Sequence, residues 1–130
     1  MEFRTRVAMI LLATALAQPA GAVEAPSSLQ GIWSPDLSCD TAALRHIVGR
    51  TTLEWRDGGE RIAEADVHYR VRGNDIAATV QQVRNGDASL RPGDVVTYQR
   101  VAGGLRPLTI ERNGAAIDIS RPRTFFQCRR

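Results

Sequence analysis

The chain has 130 residues, 43% hydrophobic and 24% charged, and carries a formal net charge of +3 at neutral pH. Lysine is absent, and the arginines interleave with acids instead of gathering into the same-sign stripe that nucleic-acid binding requires. A chain of this length has room for one domain with one hydrophobic core.

The N-terminus, MEFRTRVAMILLATALAQPAGA, has basic Arg4 and Arg6, an apolar run from Val7 to Ala17, and small residues at Ala20-Gly21-Ala22. That order predicts a secretory signal peptide cleaved after Ala22, with Ala17 as the other site. The run is short of the ~20 apolar residues a membrane-crossing helix needs, so no stable membrane insertion is expected after cleavage. A single domain over 23–130 is then expected in the periplasm or outside the cell, with 23–28 (VEAPSS) as a mobile N-terminal tail. Cys39 and Cys128 are the only cysteines. In an oxidising compartment a lone pair predicts one disulfide joining the start of the domain to its end. A reactive or metal-binding thiol pair is the competing reading.

The next segment is SLQGIWSPDLSC. Leu29, Gly31 and Trp33 fall on one face of a strand, and Ser34-Pro35-Asp36 reads as the turn that ends it. Gly31 and Trp33 are expected to pack the end of a barrel, the glycine letting the ring or a crossing strand approach its backbone. In CDTAALRHIVG, Leu44, Ile47 and Val48 follow helical spacing between Asp40 and Gly49, which predicts a short helix over 41–48. A strand from Arg45 to Val48 competes with it.

Beyond Gly49 the pattern is strand and turn. Turn signals recur at Asp57-Gly58-Gly59, Gly73-Asn74-Asp75, Asn85-Gly86-Asp87, Arg91-Pro92-Gly93-Asp94, Gly103-Gly104, Asn113-Gly114 and Arg121-Pro122. Between them ERIAEADVHYRVR alternates apolar Ala63, Ala65, Val67, Tyr69 and Val71 with charged or polar partners, as a half-buried strand does. Further strands are expected at 51–56, 76–83, 95–101, 108–112, 115–120 and 124–128. A phase slip places a β-bulge near Gln81-Gln82, and Pro107 implies an edge or a bulge. The expected fold is all-β: a small antiparallel barrel of about eight strands with one short helix after the first, its seam closed by the disulfide.

The Leu29-x-Gly31-x-Trp33 start resembles that of lipocalins and their short bacterial relatives. It is also similar to the bacterial inhibitors of secreted metalloproteases, where the same motif is soon followed by a cysteine, here Cys39. The resemblance covers Leu29 to Cys39. The lipocalin likeness implies carriage of a small apolar ligand and a late basic residue near the tryptophan, a part for Arg121 or Arg123. The inhibitor likeness implies binding to a hydrolase, although that family pairs its first cysteine within the chain's middle.

Catalytic chemistry finds little support. His46 and His68 are the only histidines, on a predicted helix and an outward strand face, so no metal set assembles and no metal or cofactor is expected. No nucleophile motif or phosphate-cradling glycine loop occurs. Glu64 and Asp66 share an exposed face with Arg70 and Arg72, and cross-strand ion pairing on a solvated surface is their expected role. The preferred reading is a non-enzymatic module for a protein partner, either a hydrolase inhibitor or an accessory subunit of an envelope complex. Its recognition surface is expected in the loop around Asn85–Pro92 and in RPRTFFQCRR, with Phe125, Phe126, Arg121 and Arg123 as partner-binding candidates. Alternation lets only one of the two phenylalanines face inward. The alternatives are a carrier of a small apolar ligand and a purely structural envelope protein.

Overall fold

In the computed structural model, which describes residues 24–36, 39, 44–84, 90–118 and 123–128, every regular element is a β-strand. The signal-peptide reading, Arg121 and residues 85–89 of the Asn85–Pro92 loop lie outside the described residues. In chain order the strands are β1 (Gly31–Ser34), β2 (Leu44–Val48), β3 (Thr52–Asp57), β4 (Glu60–Arg72) and β5 (Asp75–Val83). They continue as β6 (Val95–Val101), β7 (Gly104–Arg112), β8 (Ala115–Asp118) and β9 (Phe126–Gln127).

Two-residue turns join β3 to β4, β4 to β5, β6 to β7 and β7 to β8, and from β1 to β8 each strand pairs with the next. The result is one antiparallel sheet of order β8-β7-β6-β5-β4-β3-β2-β1-β9. Asn113 and Gly114 both take positive φ, 53° and 80°, as a two-residue turn between β7 and β8 demands. The expected closed barrel is not what the pairing gives: β8 and β9 end the sheet and do not pair with each other. Among the described residues one backbone bridge crosses that gap, where Leu105 of β7 and Phe125 exchange both backbone hydrogen bonds, at 2.7 and 2.8 Å.

One face of the sheet carries the core. Ala63, Ala65, Val67 and Tyr69 of β4, Ile76, Ala78 and Val80 of β5, and Val96 and Tyr98 of β6 are buried at every second position. Leu53, Ala65, Ala78 and Val96 have 0% of their surface exposed. Each large aliphatic buried this way is worth roughly 1.5–3 kcal/mol over an exposed one. The alternation runs out at the margins, for Val71 is 40% and Ile117 51% exposed.

Both irregularities read from the sequence are present. Asp66 pairs with Gln82 and Val67 with Val80, which leaves Gln81 unmatched. Thr97 pairs with Thr109 and Tyr98 with Pro107, so Leu108 is the extra residue beside the proline.

The predicted helix is a correction. Leu44–Val48 is strand β2, paired to β1 on one side and β3 on the other. Leu44, His46 and Val48 also alternate, and pairing along both edges outweighs a five-residue helical spacing that includes β-branched Ile47 and Val48. Gly49 begins the connection to β3, its N–H donating to Thr52 O at 2.9 Å. Ahead of β1, Ala25 is buried and donates its N–H to Arg50 O at 2.8 Å, while Arg100 reaches Ser28 Oγ at 3.1 Å.

Candidate functional site

Three places combine defined geometry with chemistry. The first is the junction of the chain's two ends. Trp33 pairs with Gln127 and Ser34 with Phe126, so β9 lies along β1. Just beyond it Cys128 donates its N–H to Ile32 O at 2.8 Å and is disulfide-bonded to Cys39, with Cα atoms 5.6 Å apart and a sequence separation of 89. Arg45 braces the same corner, donating to Cys39 O and Gly58 O. Trp33 is buried and donates its indole N–H to Leu29 O at 2.9 Å.

Gly31 has φ +139°, and a Cβ there would sit 3.1 Å from Gln127 Nε2. The close approach thus involves the last strand, with Gln127 donating to Gln30 O at 3.0 Å. Gly104 is just as constrained, since a Cβ would meet Phe125 O at 2.7 Å. A recess of about 280 Å³ opens here between Ser28, Trp33, Arg100, Gly103 and Gln127.

Of the partner-binding candidates, Phe125 is 3% exposed and faces the core, while Phe126 is half-buried with its ring edge over Gly104. Arg123 is exposed.

The second place is inside, and the helical reading of β2 concealed it. His46 is buried, its ring centroid 4.5 Å from Phe125 and 5.3 Å from Trp55. Its Nδ1 lies 3.3 Å from the Tyr98 hydroxyl, which also accepts from Trp55 Nε1 at 3.4 Å. Burial lowers the His46 pKa to about 3 and pushes that of Tyr98 up. At neutral pH this is an uncharged imidazole against a protonated phenol, a polar pair satisfied within the core. His68 stands on the outer face of β4, and among the described residues no three metal-ligating side chains converge. The alternation of Leu44, His46 and Val48 was the available signal for His46.

The third place is the outer face of β4, where the expected cross-strand ion pairing is present for Asp66. Glu64 lies 3.6 Å from Arg61, and Asp66 is 2.8 Å from Arg84 across the β4–β5 pair. Arg70 and Arg72 take part in neither. They border a recess of about 410 Å³ on the outer face, with Asp75, Ala77, Thr97 and Leu108 along it.

Compared with known proteins, the chain matches no family model, no curated protein and no solved structure.

Proposed function

We propose that this chain is an exported, non-enzymatic binding module for a protein partner, either a hydrolase inhibitor or an accessory subunit of an envelope complex. In this reading the sheet wraps into a barrel whose seam is the Leu105–Phe125 bridge, with the disulfide beside it. The observation that supports the module most is the filled core face: a sheet whose inward residues are buried against one another recognises partners from its outside. A disulfide fits a non-cytoplasmic compartment, and no helix among the described residues is long and apolar enough to cross a membrane. The exposed partner surface is the C-terminal stretch around Arg123 and half-buried Phe126. A stapled scaffold keeps that stretch pre-organised, which lowers the ordering cost of binding.

The test is reconstitution. A partner that co-purifies with the tagged protein from its native envelope should re-form a complex of fixed stoichiometry from purified components. Arg123→Glu should weaken that complex at least about tenfold, the equivalent of ~1.4 kcal/mol. Recovery as a lone monomer with extractable lipid aboard would transfer the case to the carrier of a small apolar ligand.

A further inference from the structure

We propose that the outer face of β4 to β7 holds a binding site for an oxyanion, a carboxylate or phosphate, carried on a small apolar body. The inference is independent of any protein partner.

The recess has a cause in the strand register. Arg70 stands opposite Ala77, Ala77 opposite Thr97, and Thr97 opposite Thr109, forming one row across four strands. Ala77 has the shortest side chain of that row, so the face dips where it sits. Leu108, the bulge residue of β7, adds an apolar wall. The resulting volume, about 410 Å³, lies within the range of small-ligand sites.

Charge gives the recess its selectivity. Arg50, Arg56, Arg61, Arg84 and Arg112 each have a carboxylate within ion-pair distance. Among the described residues Arg70 and Arg72 have none: Glu64 and Asp66, on the same strand, are engaged by Arg61 and Arg84, and Asp75, opposite Arg72 in register, makes no ion pair with it. Two residues apart on one strand, the pair points to the same side with Cα atoms roughly 7 Å apart. Flexible side chains bring both guanidinium forks onto a single oxyanion from that separation, and the fork matches carboxylate and phosphate geometry. Asp75, opposite Arg72 in register, leaves the recess with one net positive charge. That balance favours a headgroup of low charge over a polyanion. Ala77 and Leu108 then receive the apolar part, which distinguishes the ligand from a bare inorganic ion.

The experiment titrates the disulfide-bonded protein with phenyl phosphate and with inorganic phosphate, following amide shifts by NMR and affinity by calorimetry. Expected are shifts centred on Arg70, Arg72, Ala77 and Thr97, with phenyl phosphate the tighter ligand. Arg70→Gln/Arg72→Gln should weaken it at least about tenfold. Ala77→Leu fills the trough from the solvent side and should abolish the advantage of phenyl phosphate over inorganic phosphate. Shifts spread equally to Arg91 and Arg123, or an affinity unchanged in the double variant, would overturn the site. Phosphatidylglycerol vesicles separate the sources of the anion. Vesicle binding that the double variant loses assigns a lipid headgroup; phenyl phosphate binding with no vesicle binding assigns a soluble ligand.

Discussion

His46 shows how much one residue's placement decides. Its imidazole is neutral in the fold because burial opposes the charge, and among the described residues its hydrogen-bond partner is the Tyr98 hydroxyl. The Trp55 and Phe125 rings pack against it, and among the described residues no carboxylate pairs with it to offset the cost of protonation. The folded-state pKa, about 3, lies below the ordinary value of 6.5, so the unfolded chain binds the proton first. Stability from this residue is therefore complete above about pH 6.5 and declines as pH falls toward 3, by at most ~1.4 kcal/mol per pH unit. Replacing the imidazole by His46→Phe removes this titration while keeping a ring beside Phe125. Urea midpoints at pH 7 and pH 4.5 should differ less in the variant than in the wild type. Equal losses in both would show that His46 titrates normally.

Among elements, Asp94 does for the β5–β6 connection what His46 does for the core. Its carboxylate is buried, accepts from Arg112 Nη2 at 2.8 Å and Nε at 3.0 Å, and takes the Arg91 N–H at 2.9 Å. It thereby ties the turn before β6 to the end of β7, two strands that already pair. The Arg112 hydrogen bond holds its pKa below the ordinary carboxylate value despite burial. With a depressed folded pKa, its contribution is complete above about pH 4 and disappears as pH falls further, a window lower than that of His46. Asp94→Ala should cost about 2 kcal/mol at pH 7, read from the denaturant midpoint, and the deficit should shrink below pH 4. The pairing of Asp94 with Arg112 spans a bulge and a turn, and nothing local in RPGDVV announces it. What was legible at this scale was local: hairpin turns at Gly58, Gly73 and Asn113-Gly114, period-two burial in β4, and the bulge at Gln81. What was not legible depended on a distant partner. β2 became a strand because β1 and β3 flank it; among the described residues Arg70 and Arg72 make no ion pair, while Arg61 and Arg84 engage Glu64 and Asp66. A five-residue segment with two compatible periodicities carries too little information to choose, and ion pairs on a face follow register, which pattern alone leaves open.

For the whole molecule, the pairing of the two chain ends is the feature with the largest stake. β9 has two residues, and β1, against which it lies, has four. Ladders that short hold little by themselves, since a strand this brief buries few side chains and frays readily. The Cys39–Cys128 bond changes that by limiting the unfolded chain: it closes a loop with a sequence separation of 89. Loop entropy alone makes such a closure worth about 4–5 kcal/mol, set against a total of roughly 5–15 kcal/mol for a typical domain. Cys39→Ser/Cys128→Ser should therefore lower the denaturant midpoint by a third or more while leaving the core packing of β3 to β6 intact. Loss should begin at the ends: hydrogen exchange should quicken first at Cys128 and Phe125, whose N–H groups reach Ile32 and Leu105. The indole of Trp33, beside that junction, should report the same opening by fluorescence before Trp55 does. If the serine variant unfolds within about 1 kcal/mol of wild type, the unfolded chain is already compact enough that the bond removes little freedom, and the ends hold through Phe125 and Trp33 packing instead.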